Sequence, residues 1–226
     1  MIMAVPSLNI NHDVLFVEVE HIVIEAKPEN NFMPTAEEIL PHVKGASMIA
    51  LCSPLNPTGT TFKEHELAAI CDVVLEENKQ RGEDDKKLYL LYDQIYWTLT
   101  FGDTKHFNPV TLRPEMKDYT IFVDGISKAF ASTGVRLGWA LGPAHVLGKM
   151  KAINSHVGSW APRADQQATA KYLLQTESID KYFVHFKSEV EERLRRIYEG
   201  FQKLKSEGFS VDAIEPQAAI YLTIKI

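Results

Sequence analysis

Cysteine is nearly absent from this chain: Cys52 and Cys71 are the only two in 226 residues. Two thiols can build neither a disulfide framework nor a four-thiolate metal site. A reducing, cytoplasmic setting is the default expectation. Long apolar runs are missing too, with nothing near the roughly 18 residues that a membrane-spanning helix needs. The opening MIMAVPSLNINHD has no cationic stretch leading into an apolar one, so no signal peptide is expected. A basic surplus is also lacking. Lys and Arg number 24 against 30 Asp and Glu, a net charge of −6, whereas a binder of phosphate backbones shows a basic face. The densest basic cluster, Arg193, Arg195 and Arg196, is interleaved with Glu189, Glu191, Glu192 and Glu199 and reads as a solvated helix face. Neither a membrane nor a nucleic acid is an expected partner. The eight histidines form no pair at helix-face metal spacing. His65-Glu66 begins like a zinc-protease H-E-x-x-H, but Ala69 stands where the second histidine would be. Gly142 to Lys149 imitates a phosphate loop with one residue too many and Met150 in place of Ser or Thr. No metal site is expected.

What is present suits a globular core. With 45% hydrophobic and 10% aromatic residues, the chain can bury the core of one large domain and part of another. ASMIALC (46–52), KLYLLYD (87–93), YTIFVDG (119–125) and RLGWALG (136–142) are apolar enough to be strands buried on both faces. Between the first two, Thr61 and Glu64 form a T-x-x-E capping box, and Leu67, Ile70, Cys71 and Val74 recur at helical spacing. A shorter helix opens at Thr35, with Glu38 in the same relation. Strand, capped helix, strand predicts a right-handed crossover in a parallel sheet. Beyond residue 143 the pattern is helical. Ile179, Tyr182, Phe183, Phe186, Val190, Leu194, Ile197, Phe201 and Leu204 mark one stripe of a long helix. Gly208 is its stop, and AAIYLTIKI (218–226) reads as a terminal strand with no visible sheet partner. The fold class is therefore α/β, a mostly parallel sheet with flanking helices. A large domain over 1–177 is followed by the linking helix and beginning of a small α+β domain over 178–226.

Three stretches at predicted strand ends carry the chemistry, the edge where ligands bind in open parallel sheets. SPLNPTG, Ser53 to Gly59, is a rigid turn that holds the Asn56 side chain in one place. YDQIYW sets Asp93 at a strand end with Tyr96 three residues on. An acid there is often functional, and capping the following turn is the plain alternative. SKAFASTGVRLGW places Lys128 after the apolar TIFV and Arg136 between glycines. Such a lysine is costly if buried without a partner, and an exposed loop lysine is the bland alternative. Such an arginine can grip a phosphate by paired hydrogen bonds. Trp97 and Trp139 flank these stretches; both read most simply as packing, with the substrate pocket as the alternative for Trp97.

In this order the N-P-T-G turn, D-x-x-Y, S-K and R-x-G-W resemble the class I/II aminotransferases of the fold-type I pyridoxal-phosphate enzymes, over most of the chain. The resemblance implies pyridoxal 5′-phosphate as cofactor and amino transfer between an amino acid and a 2-oxo acid. It assigns Lys128 the Schiff base and the proton transfer, and Asp93 the pyridine nitrogen. Tyr96 and Asn56 would serve the phenolic oxygen, and Arg136 the phosphate; Asn56 could also touch the substrate carboxylate. The resemblance further implies a homodimer with shared active sites, and a chain that lacks N-terminal and C-terminal parts of the family's length. Two departures stand out: Gly125 occupies a position where the family often has a phosphate-binding Ser or Thr, and residues 8–12 offer no clear ring-stacking aromatic beyond His12. Rival readings are a pyridoxal-phosphate C–S lyase or related lyase, and a non-catalytic sensor module of the same fold.

Overall fold

The computed structural model describes residues 2–5 by their backbone and residues 20–226 throughout. Six strands form one sheet: β1 (Ile2–Val5), β2 (Ile22–Glu25), β3 (Met48–Cys52), β4 (Tyr89–Asp93), β5 (Thr120–Gly125) and β6 (Gly138–Leu141). Their order is β2-β1-β3-β4-β5-β6, with every neighbouring pair parallel except β5 and β6. β3 lies inside the sheet and buries Ile49, Ala50, Leu51 and Cys52, as a strand covered on both faces must. RLGWALG departs from that expectation. β6 is the outermost strand and antiparallel, and Leu141 is 57% exposed.

The helices of the first half obey local rules. Thr35 caps α1 (Ala36–Ile39): its hydroxyl accepts from the Glu38 N–H, and the Glu38 carboxylate accepts from the Thr35 N–H. That hydrogen bond holds the Glu38 carboxyl below the usual carboxylate range. The second expected box is displaced. α2 runs Glu64–Gln80, and Glu66 accepts from the Lys63 N–H at 2.8 Å. The helix starts after Lys63 and not at Thr61, in a stretch where the Phe62 N–H donates to Ser53 Oγ and Thr60 O accepts from the Leu55 N–H. α2 then lays Leu67, Ile70, Cys71 and Val74 into the core against β3 and β4. Its last turn is tied to β4 by buried Asn78, which accepts from the Leu88 N–H and donates to the Leu88 carbonyl, both at 2.8 Å. Both cysteines are buried and unpaired, and burial pushes the Cys71 thiol up to about 12.

Beyond α3 (Pro109–Leu112), and α4 (Ile126–Ala129) that follows β5 directly, the chain is mainly helical: α5 (Ala144–Val157), α6 (Arg163–Tyr172) and the 31-residue α7 (Thr176–Ser206). Gly208 ends the last of these at φ +94°, with the Phe209 N–H donating to Leu204 O. The basic cluster of α7 is neutralised within the helix by Arg193–Glu189, Arg195–Glu191 and Arg196–Glu192 pairs one turn apart. Its aromatic stripe is half-buried. Tyr182 and Phe183 pack on Phe130, with ring centroids 5.8 and 5.1 Å apart. The terminal stretch 218–226 is strand only at β8 (Ile224–Lys225), which pairs antiparallel with β7 (Asp212–Ala213). It therefore has a partner, which the sequence concealed because two residues carry no period. None of the described helices is long and apolar enough to cross a membrane.

Candidate active site

Parallel strands end together, and here that edge gathers most of the singled-out residues. Cys52 of β3 stands beside Asp93 of β4, and Asp93 beside Val123 of β5. The Ser53 N–H donates to Asp93 O and the Gln94 N–H to Val123 O, both at 3.0 Å. Three loops thus leave the sheet side by side: the Asn56 turn, the Asp93–Tyr96 turn and the segment that carries Lys128.

The first turn closes through the Gly59 N–H on Leu55 O and contains cis bonds before Pro54 and Pro57. Gly59 has φ +70°, and a Cβ there would lie 2.6 Å from the Ala218 carbonyl oxygen, so only glycine fits. Asn56 is half-buried on it. In the second turn, Asp93 Oδ1 accepts from the Ile95 N–H at 3.0 Å. Burial pushes the Asp93 carboxyl up, with the nearby Asp124 charge adding to the effect and the Ile95 hydrogen bond opposing it. Among the described residues Asp93 has no ion-pair partner. Tyr96 is only 2% exposed, and burial pushes its phenol up.

Lys128 sits in α4, half-buried, with Nζ 5.9 Å from the centroid of the Tyr96 ring, within cation–π range. It too has no ion-pair partner among the described residues. Arg136 leaves from the same end of the sheet, because Gly125 of β5 pairs with Gly138 of β6 and residues 126–137 connect them there. It is exposed, with φ +58° and Nη1 donating to Thr133 O at 3.0 Å. The structure thus brings Lys128 to Tyr96, sets Asp93 and Asn56 on adjoining loops, and leaves Arg136 open at the same edge. Gly125 has a steric reason: a Cβ would lie 2.8 Å from Leu137 O and 2.9 Å from Gly138 Cα. Residues 8–12 lie outside the described residues.

Two features escaped the sequence reading, and a third combines packing with a polar contact. Trp97 packs on His106, with ring centroids 6.3 Å apart, yet is 44% exposed and donates from Nε1 to Asp124 Oδ2 at 2.9 Å. His106, against Tyr92 and Trp97, is pushed down to about 4 by burial. Tyr221 comes back from the C-terminal stretch to the Tyr96 hydroxyl, across a separation that no local pattern records.

A half-buried carboxylate and a half-buried amine, each without an ion-pair partner among the described residues, thus lie on one sheet edge. The sequence pattern of the family "Aminotransferase class I and II" matches residues 8–226. The chain belongs to this family. The family's enzymes use pyridoxal phosphate. The chain is 31% identical over 203 residues to an aspartate aminotransferase of Bacillus sp. (strain YM-2), covering 89% of this chain and 47% of that protein. A probable aspartate/prephenate aminotransferase of Rhizobium leguminosarum bv. phaseoli is 33% identical over 158 residues, 68% of this chain and 37% of its own length. Among solved structures, a single mutant of the Thermus thermophilus aspartate aminotransferase superposes with a TM-score of 0.82 at 27% identity, over 98% of this chain and 53% of that one. This aminotransferase-family chain spans about half the length of the curated relatives it matches.

Proposed function

We propose that the protein is a pyridoxal-phosphate-dependent aminotransferase that moves an amino group between an amino acid and a 2-oxo acid. The observation that carries this reading is the approach of Lys128 Nζ to within 5.9 Å of the Tyr96 ring centroid, with the half-buried Asp93 carboxylate, which has no ion-pair partner among the described residues, on the adjoining strand end. Asp93 faces the ring nitrogen, where a neighbouring N–H⁺ offsets the burial that otherwise favours the neutral acid. Tyr96 and Asn56 donate hydrogen bonds to the phenolic oxygen, and Arg136 grips the phosphate through its planar pair of N–H groups. Lys128 Nζ would hold the cofactor through its aldehyde carbon and, as a freed amine, would carry the proton between the substrate's α-carbon and that cofactor carbon. When bound, the cofactor supplies an electron sink for the charge released at that carbon. The division into a large domain over 1–177 and a linking helix with the start of a small domain over 178–226 belongs to the same proposal, as do a homodimer and a cytoplasmic setting.

Asp93→Ala in single-turnover kinetics tests the reading. The variant is expected to slow removal of the α-proton by several orders of magnitude while weakening cofactor binding far less. Equal single-turnover rates in variant and unaltered protein would refute the assigned role. The reaction class is separated by products: 2-oxo-acid-dependent amino transfer supports the aminotransferase, and release of pyruvate and ammonia without an acceptor acid supports the lyase.

A further inference from the structure

We propose that Tyr221 is a positioning residue for Tyr96: its hydroxyl donates to the Tyr96 oxygen and so turns the Tyr96 proton toward the ligand. The inference rests on the reading of Tyr96 given above and extends it to a residue 125 positions away.

The segment that carries Tyr221 is fastened to the site. The Phe101 N–H donates to Gln217 O at 2.9 Å and the Ala219 N–H to Leu99 O at 2.8 Å. The Gln217 and Asn31 side-chain amides exchange two hydrogen bonds of 3.0 Å, and Thr223 Oγ1 donates to Pro57 O at 2.8 Å. Ala218 and Ala219 are fully buried, and Ala219 holds a left-handed φ of +63°. Gly59, in the Asn56 turn, is where the Ala218 carbonyl makes its close approach. Tyr221 therefore meets Tyr96 on a frame that also fixes the two neighbouring loops. The two rings meet edge to face, with centroids 5.5 Å apart and planes at 71°, and the hydroxyls are hydrogen-bonded.

A hydroxyl has one proton to give. If Tyr96 gives its proton to Tyr221, nothing remains for a ligand oxygen. Donation from Tyr96 to a ligand therefore requires Tyr221 to be the donor within the pair. Accepting a hydrogen bond also makes the Tyr96 O–H a better donor. Lys128 Nζ lies 5.9 Å from the centroid of the same Tyr96 ring.

The test compares the full chain and its Tyr221→Phe variant in binding two ligands by equilibrium dialysis. One is pyridoxamine phosphate, which keeps the phenolic oxygen and has no aldehyde. The other is its analogue lacking the ring hydroxyl. Phenylalanine keeps the edge-to-face contact and removes the hydroxyl alone. Tyr221→Phe is expected to weaken pyridoxamine phosphate about 3- to 10-fold, the range of one lost hydrogen bond, and to leave the analogue unchanged. In a Tyr96→Phe background the same substitution is expected to add nothing. Equal affinities for both ligands in both proteins overturn the proposal and leave the cofactor reading standing. So does an equal loss for both ligands, the mark of a merely structural role. If the unaltered chain does not bind pyridoxamine phosphate, the cofactor reading and this proposal fall together.

Discussion

The strand-rich stretch through β6 and the helical stretch after it hide their side chains to very different degrees. Ile49 on β3, Leu67 and Ile70 on α2 and Leu90 on β4 are fully buried. By contrast, α5 and α6 bury no residue, and α7 buries only Leu194, while Val184 is 75% and Ile153 60% exposed. The proposed site residues lie in the strand-rich stretch through β6, where a packed sheet fixes the loops that bear them. The stretch after β6 contributes Tyr221 and the Tyr182 and Phe183 rings that pack on Phe130, all brought in from a distance. Apolar spacing alone does not distinguish the two stretches; the number of layers around each element does.

Paired substitutions can break or sharpen this contrast. Leu90→Ala is expected to cost about 2–5 kcal/mol, as cavity-forming changes in a closed core do, whereas Val184→Ala should stay within about 0.5 kcal/mol. Denaturant midpoints of the two variants check this, and equal losses would contradict it. Glycines give a second pair. Gly125→Ala drives a methyl into the Leu137 carbonyl and should cost about 1–3 kcal/mol. Gly148→Ala, on α5 with nothing within 4 Å of the new Cβ, should gain about 0.5–1 kcal/mol. Melting temperatures that move in the same direction would undo the pair.

A third effect depends on pH. His106 is held neutral by burial, from an ordinary 6.5 down to about 4, and neither ring nitrogen has a hydrogen-bond partner among the described residues. Over that window the unfolded chain binds a proton that the folded chain refuses, so stability falls as pH falls from 6.5 toward about 4. His106→Gln should flatten that slope by at most ~1.4 kcal/mol per pH unit, one proton's worth. Asp93 and Asp124, both pushed up by burial, act in the opposite sense, and for that reason the variant is compared with the parent protein. An unchanged slope would contradict the buried neutral ring. The smallest effect is expected on the α7 surface, where Glu192→Gln removes one exposed ion pair with Arg196 and should change stability by under about 0.5 kcal/mol.

The strands β3, β4 and β5 were legible because burial on both faces writes an unbroken apolar run. The Thr35 cap was legible because its partner lies three residues away. The expected box at Thr61 misled because Lys63-Glu66 offers the same spacing two residues later, and the helix starts there. RLGWALG looked like an interior strand because edge and interior strands share composition, and only sheet order tells them apart. The short motifs around Asn56, Asp93, Tyr96, Lys128 and Arg136 were readable as chemistry because each follows a strand end. Tyr221, Trp97 and Asp124 were not, since their partners are set by folding and not by spacing.

The central claim is that one amine, that of Lys128, anchors the cofactor. The direct measurement is borohydride reduction of the protein incubated with pyridoxal phosphate, followed by mass mapping of the modified peptide. The expected result is a single reduced adduct on Lys128 that disappears in Lys128→Ala. An adduct of equal yield in that variant, or one carried by another lysine, would contradict it.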